Sequence, residues 1–175
     1  MSICDEIRVW VNEGRLFLFI PDDPGACISR PLYLVEEIRT LVEGPWETVK
    51  DADRGGALRA DLEHFTSGGM VSIAKTPYRA KTALLARLDP PGDEVWEIRS
   101  RSPRPGLRVF GRFAKTDIFV ALEVKSRDAL GGPKDRSWRD EIVRSKAHWI
   151  RLFPSYPAHS GSTVHDYISN NLILV

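Results

Sequence analysis

Residues 94–127, which read EVWEIRSRSPRPGLRVFGRFAKTDIFVALEVKSR, decide the predicted fold of this chain. Apolar segments alternate with turn residues, a pattern that predicts three consecutive antiparallel strands. In the first segment Trp96 and Ile98 have the same parity, so both are expected to face the core. Residues 118–124 are apolar at nearly every position, as is typical of a strand covered on both faces. This stretch therefore predicts the centre of a β-sheet.

Cationic side chains recur along these three segments. Arg108 and Arg112 have the same parity in the second segment, so they are expected on the same face of the sheet. The short connection at residues 114–117 predicts a tight hairpin, in which Arg112 and Lys125 are not neighbours in register. The cations therefore form a band along the strands. We call the following six residues the cationic band: Arg99, Arg101, Arg108, Arg112, Lys125 and Arg127.

The cationic band is the group of residues that suggests a chemical mechanism. Guanidinium groups can hold an RNA backbone, and one beside a reacting phosphate can stabilise the charge of a phosphorane transition state. Exposed strands also carry arginine for solubility alone, which is the alternative interpretation of any single member. Because the members cluster on adjacent strands, phosphate binding is favoured for the group.

Length and composition are those of a globular protein with a sizeable core. The chain has 175 residues, 42% of them apolar, which predicts one domain with or without an added subdomain. Cys4 and Cys27 lack metal-ligand spacing, so neither a disulfide framework nor a zinc site is expected. The N-terminus has acidic residues where a signal peptide would have basic ones. We therefore expect no membrane segment and a cytoplasmic location.

Charge is distributed unevenly along the chain, although the net charge is only +1. Residues 1–63 hold 7 Lys or Arg against 13 Asp or Glu, whereas residues 64–175 hold 18 against 11. This predicts an acidic N-terminal extension beside a basic core, with a boundary in the polar, glycine-bearing residues 50–56. A basic core suggests a polyanion-binding surface that the extension or a separate acidic partner covers, and ordinary surface scatter is the alternative.

The N-terminal extension is predicted to contain both helix and strand. Residues 9–20 read as a small hairpin that turns at residues 12–15. Residues 31–42 have apolar side chains at helical spacing, and Gly44 marks the end of that helix. Residues 58–65 predict a second helix that ends at a pair of glycines.

The remainder of the chain supplies further elements around the central strands. Residues 70–74 predict a strand, and residues 82–88 fit either a strand or a helix end, with strand preferred because a turn leads directly into the central stretch. Residues 137–152 have helical periodicity, with Ser137 as the candidate cap. The apolar residues 172–175 predict an edge strand.

Motifs of the common enzyme classes are absent from the sequence. There is no phosphate-binding glycine loop, no nucleophile elbow and no HExxH, and we expect neither a metal nor a cofactor. His159 and His165, with Asp166, provide a candidate general base in the tail, and ordinary surface histidines are the alternative. Trp96 is expected in the core, whereas Phe110 fits either the core or a base-stacking surface.

The segments WEIR, LRVFGRF and DIFVALEVKSRDAL, followed by a helix, resemble the sheet core of the RelE/ParE toxin superfamily, especially its HigB-like members. The resemblance covers about residues 84–151. It implies a groove lined by Arg and Lys that binds and cleaves mRNA at the ribosome, and an acidic antitoxin as partner. The chain departs from the family in its acidic residues 1–63, and it has Lys125, Ser126 and Arg127 where members have two lysines.

These observations combine into one hypothesis. The chain is predicted to be an α+β protein with a central twisted antiparallel, RelE-like sheet packed against helices and an N-terminal α/β extension. Its predicted function is that of a toxin-like endoribonuclease or a degenerate relative. The alternatives are a non-catalytic nucleic-acid- or protein-binding module and a structural protein of a phage or mobile element. The hypothesis assigns catalytic roles to Arg108, Arg112, Lys125 and Arg127, and RNA contacts to Arg99, Arg101 and Lys115.

Overall fold

The protein is described by a computed structural model, which covers residues 2–74, 82–132 and 135–175. These residues form one eight-stranded mixed sheet and four α-helices. The strands are β1 Phe17–Leu18, β2 Leu32–Leu34, β3 Val71–Ala74, β4 Leu85–Arg87, β5 Trp96–Ser100, β6 Leu107–Lys115, β7 Ile118–Ser126 and β8 Leu172–Leu174. The helices are α1 Ile3–Asn12, α2 Glu36–Glu43, α3 Val49–Thr66 and α4 Arg136–Leu152.

The strand order across the sheet is β1-β2-β7-β6-β5-β4-β3-β8. The predicted antiparallel centre is confirmed, because β4, β5, β6 and β7 pair antiparallel with their neighbours in that block. The sheet as a whole is mixed, since β2 pairs with β7, and β3 with β4 and β8, in parallel. Short turns impose antiparallel pairing on consecutive strands, whereas strands that are distant in sequence join without that constraint. No turn residues in the sequence therefore indicated the parallel strand pairs.

The hairpin between β6 and β7 sets the register of the central strands. Asp117 occupies its tight turn with a φ of 64°. Arg108 pairs with Lys125 and Arg112 with Val120, so the expectation that Arg112 and Lys125 are not neighbours is confirmed. The register shifts next to Gly111, where an added Cβ would lie 2.3 Å from the Val120 carbonyl oxygen. Glycine therefore permits the close approach of the two strands at this position.

Both faces of the central strands are buried. Trp96 and Ile98 belong to the main hydrophobic core, as predicted, and the Trp96 ring lies 4.7 Å from the ring of Tyr167. Phe110 lies on the opposite face in a second cluster that includes Ile142 of α4. Of the two predicted positions of Phe110, the core and a base-stacking surface, the core is therefore correct.

The hairpin predicted at residues 9–20 is wrong. Residues 3–12 form α1, in which Ser2 Oγ accepts a hydrogen bond from the Asp5 backbone amide and the Asp5 carboxylate accepts one from the Ser2 amide. This capping box satisfies backbone donors that the first turn of a helix leaves without partners. Ile3 and Ile7 of α1 lie in the main core. Helical burial therefore overrides the apolar alternation that suggested a strand.

The helix predicted at residues 31–42 is correct only in its second half. Leu32–Leu34 form β2, which pairs with residues 119–121 of β7. Helix α2 begins at Glu36, and Gly44 caps its C-terminus, as expected. The predicted boundary at residues 50–56 lies within α3, where Gly55 packs against the Leu41 carbonyl and the Trp46 ring. The glycine that suggested a linker instead allows two helices to approach closely.

Residues of the acidic N-terminal part and of the basic part share the sheet and the core. β1 and β2 extend the sheet beyond β7, and Ile38 and Leu62 belong to the same hydrophobic cluster as Trp96. Arg30 is fully buried and donates hydrogen bonds to the carbonyl oxygens of Phe65 and Asn170. The two parts are therefore joined by backbone pairing, apolar packing and a buried guanidinium.

The C-terminal elements agree with their predictions apart from one cap. The helix at residues 137–152 is confirmed as α4, but its cap is Asp135, whose carboxylate accepts a hydrogen bond of 2.9 Å from the Ser137 amide. The predicted strands at residues 70–74 and 82–88 and the edge strand at the C-terminus are also confirmed. Over the described residues, no helix has both the length and the apolar character needed to cross a membrane.

Candidate nucleic-acid interface

The cationic band lies on the face of the sheet that α4 covers. Two rows of side chains cross the three central strands on this face: Arg99, Arg108 and Lys125 form one row, and Glu97, Phe110 and Glu123 form the other. Ile142 of α4 packs on Phe110, so helix α4 lies over these rows. The band is therefore largely covered rather than open along its length.

A fully buried carboxylate lies among the arginines of β5 and β6. The Arg99 Nε atom donates a hydrogen bond of 2.7 Å to Glu97 Oε1, and Arg108 Nε lies 3.3 Å from Glu97 Oε2. Two guanidinium groups thus share the Glu97 carboxylate. Such a pair stabilises the fold only when both partners are present, because an unpaired buried charge is costly.

Four arginines lie close together at this end of β5 and β6. Burial lowers the pKa of Arg108, the Glu97 carboxylate opposes that shift, and the positive charges of Arg99, Arg127 and Arg101 lower the pKa further. We call Arg99, Arg101, Arg108 and Arg127 the arginine cluster. A group of neighbouring positive charges favours the binding of an anion.

Lys125 and Arg127 lie at the border of the arginine cluster and α4. The Lys125 Nζ atom is 3.8 Å from the Glu141 carboxylate of α4, and its side chain is 36% exposed. Arg127 donates a hydrogen bond to the Gly131 carbonyl and stacks its guanidinium 5.4 Å from the Trp138 ring centroid. Both cations are therefore positioned by contacts with the protein while still reaching the surface.

Arg54 of α3 is a further cation at this end that sequence reasoning missed. Its guanidinium donates hydrogen bonds to the Pro105 carbonyl and to the Ser126 hydroxyl, which belong to the same end of the sheet. Arg54 is 72 residues from Ser126 in the sequence. No local pattern could have linked the two, because the tertiary fold alone brings α3 to the β6–β7 end.

Arg112 and Lys115 are not brought to the arginine cluster. Arg112 donates hydrogen bonds to the backbone carbonyls of Asp93 and Glu94 and lies over the Trp149 ring near the C-terminal end of α4. Arg112 lies four positions after Arg108 in β6, which corresponds to about 13 Å along the strand. Arg108 and Arg112 are therefore not brought together, and their predicted catalytic roles stay predictions. Lys115 is exposed at the far end of β6.

Two titratable side chains of α4 that were not predicted as site residues face β7. Burial raises the pKa of Glu141, while Lys125 and Arg144 oppose the shift. His148 Nδ1 lies 3.1 Å from Glu123 Oε1. The apolar periodicity of α4 identified its buried side. It did not indicate that Glu141 and His148 on that side contact Lys125 and Glu123 of β7.

The candidate general base in the tail, His159 and His165 with Asp166, is not assembled in the structure. A ring nitrogen of His159 lies 2.7 Å from the Asp166 carbonyl, whereas the Asp166 carboxylate accepts a hydrogen bond from the Thr163 amide and its pKa is lowered by Thr163. His165 is exposed. The three side chains therefore do not converge on one point.

Within residues 2–74, 82–132 and 135–175, no three His, Cys, Asp or Glu side chains are grouped so that they could hold a metal ion. Comparisons with protein-family models, curated proteins and solved structures find no match to this chain. The function of this chain is therefore inferred from its residues and their geometry.

Proposed function

We propose that this chain binds the phosphate backbone of RNA through the arginine cluster, as a toxin-like protein that acts on RNA. The observation that supports the proposal best is the close grouping of Arg108 with Arg99, Arg101 and Arg127, whose positive charges lower the pKa of Arg108, beside the buried carboxylate of Glu97. A phosphate at this end of the sheet would be attracted by these positive charges. Planar guanidinium groups also match the geometry of phosphate oxygens.

The surroundings of the arginine cluster support a polyanion rather than a small anion. Arg54, which donates a hydrogen bond to Ser126, and Lys125, the residue before Ser126, are two further cations at this end of the sheet. Several cations spaced along a strand end can contact successive phosphates, and each contact releases counterions from the nucleic acid. RNA binding should therefore weaken steeply as salt concentration rises.

The test is fluorescence anisotropy of a short single-stranded RNA at several salt concentrations. The double variant Arg101→Ala with Arg127→Ala should bind more weakly and reduce the slope of log affinity against log salt by about 1.4. The matched control is Arg8→Ala with Arg151→Ala, which removes two exposed arginines of α1 and α4 outside the cluster. Equal affinity and slope for wild type and the cluster variant would show that the proposed site is wrong.

RNA cleavage is a second candidate function, favoured by the position of Lys125 directly opposite Arg108 in register. In this mechanism the ribose 2′-oxygen attacks the adjacent phosphorus and loses its proton to solvent. The bond to the 5′-oxygen breaks, and Lys125 gives that oxygen a proton, which leaves a 2′,3′-cyclic phosphate and a 5′-hydroxyl. Arg108 and Arg127 would stabilise the phosphorane charge.

Induced expression in a bacterial host, with growth and primer-extension mapping of mRNA, tests cleavage. Wild type should arrest growth and create new mRNA ends. Lys125→Arg should keep RNA binding and lose cleavage, because arginine retains the charge but does not release a proton. Cleavage by Lys125→Arg at the wild-type rate would exclude Lys125 as the acid. RNA binding by wild type without growth arrest or cleavage would favour the non-catalytic binding module.

A further inference from the structure

A cleft of about 570 Å³ opens at the other end of α4, away from the arginine cluster. Its walls come from the turn before β5, the middle of β6, the last turns of α4 and the loop that follows α4. The volume is within the range of about 300–1,000 Å³ that is usual for small-molecule sites. The cleft is not part of the RNA site proposed above.

Two cations line the cleft. Arg112 uses Nη2 and Nε to donate to the carbonyl oxygens of Asp93 and Glu94, and its Nη1 has no acceptor among the residues that the structure describes. Lys146 contacts the Asp93 carboxylate and has a side chain that is 39% exposed. Each cation therefore has donor capacity left for an anionic group in the cleft.

A second part of the cleft lining is apolar. Ile150, which is 60% exposed, lies beside Phe153, Pro154, Tyr156 and Pro157. An isoleucine so exposed beside two aromatic residues and two prolines offers a surface for a ring or a short aliphatic group. The cleft thus joins a cationic side and an apolar side within one volume.

Glu94 forms a fixed part of the wall between these two sides. Its backbone is left-handed, with a φ of 53°, which is unusual for a residue with a side chain. Its buried carboxylate accepts hydrogen bonds from Arg87, Ser160 and Tyr167, at 2.6, 2.9 and 2.6 Å. The carboxylate is thereby held by three donors, and its backbone strain is of the kind found at functional sites.

We propose that this cleft binds a small molecule with one anionic head, carboxylate or phosphate, and an apolar ring. Arg112 Nη1 and Lys146 Nζ bind the head, and the ring lies against Ile150, Phe153 and Tyr156. Ser160 completes the wall near the head, with its hydroxyl already directed to Glu94. The site is separate from the RNA site, so either can fail without the other.

Ligand-observed NMR on the full chain, with phenyl phosphate and benzoate as probes, tests the cleft. Wild type should bind a probe that has both head and ring, and inorganic phosphate should bind more weakly because it lacks the ring. Ile150→Glu should abolish binding. Val143→Glu is the matched control, since Val143 is 58% exposed on the same helix but does not line the cleft.

A second pair of variants tests the cationic side. Lys146→Gln should weaken binding about tenfold, the usual effect of losing one charged hydrogen bond. Arg151→Gln, which removes an exposed cation next to the cleft, should have no effect. Absence of binding by wild type, or equal binding by Ile150→Glu and wild type, would overturn the proposal.

RNA binding separates the two sites. Ile150→Glu should bind RNA as wild type does, and the variant Arg101→Ala with Arg127→Ala should still bind phenyl phosphate. If Ile150→Glu loses RNA binding as well, the cleft is a part of the RNA site and the separate small-molecule site is wrong.

Discussion

At the scale of single residues, the charged side chains of the central strands are both structural and functional candidates. Arg99, Arg108 and Glu97 were predictable as members of alternating strands. Their pairing was not predictable, because parity assigns a residue to a face and does not identify the element that covers that face. Helix α4 covers the cationic band. The band's side chains are therefore paired within the protein, and only the ends of the band reach the surface.

Glu97→Gln should destabilise the protein by about 3 kcal/mol, because it leaves the guanidiniums of Arg99 and Arg108 without their shared carboxylate in a buried site. Urea unfolding measures this change in free energy. Glu37→Gln, at an exposed position on α2, is the control and should be close to neutral. A loss below about 1 kcal/mol for Glu97→Gln would show that the charge at Glu97 matters little.

Tyr167 should ionise at an unusually high pH. Burial, followed by its hydrogen bond to Glu94, raises the pKa of Tyr167 to about 12. The folded state therefore holds the phenolic proton longer than the unfolded state, so this group's contribution to stability is lost as pH rises from about 10 to about 12. The absorbance difference between wild type and Tyr167→Phe at the tyrosinate band should show this titration. A midpoint near the ordinary value of about 10 would contradict it.

At the scale of elements, strong local signals were sufficient for most of the structure. The β5–β6–β7 meander, α4 and the last turns of α3 all have clear periodicity or turn residues. The errors fell at residues 9–20 and 50–56, where a capped helix contained alternating apolar residues and where a helix contained glycines. In both places tertiary packing outweighs the local pattern.

Gly55 and Gly56, adjacent in α3, should respond in opposite ways to alanine. A Cβ at Gly55 would lie 2.4 Å from the Leu41 carbonyl oxygen, whereas one at Gly56 would have no atom within 4 Å. Gly56→Ala should raise the free energy of unfolding by about 0.5–1 kcal/mol, because alanine favours the helix. Gly55→Ala should lower it, by about 1–3 kcal/mol, because α2 and α3 must separate. Urea unfolding of both variants checks the pair, and changes of the same sign would contradict it.

At the scale of the whole molecule, the acidic and basic halves of the sequence are joined through one sheet. β2 pairs with β7, and the buried Arg30 connects the end of α3 to the residues before β8. These contacts span up to 141 residues of sequence. A division by charge alone could not anticipate them.

Arg30→Lys should loosen the C-terminal edge of the sheet. A lysine cannot reproduce the two-pronged donation to the carbonyls of Phe65, Gly69 and Asn170. We expect a loss of about 3 kcal/mol in the free energy of unfolding, with faster amide exchange in Leu172–Leu174. Arg39→Lys, at a partly exposed position on α2, is the control. Unchanged exchange in β8 would show that Arg30 does not hold the tail.

The sequence by itself determined the central antiparallel strands, their hairpin register, α4, most of α2, the last turns of α3 and the presence of a cationic band. These features arise from side-chain periodicity and turn chemistry, which act over a few neighbouring residues. The tertiary structure alone decided that α4 covers the cationic band, that Arg54 reaches the same end of the sheet as the arginine cluster and that Arg112 lies in a separate cleft with Lys146. Those outcomes depend on contacts between residues far apart in the chain, and burial and charge pairing set them only once the sheet and helices have packed.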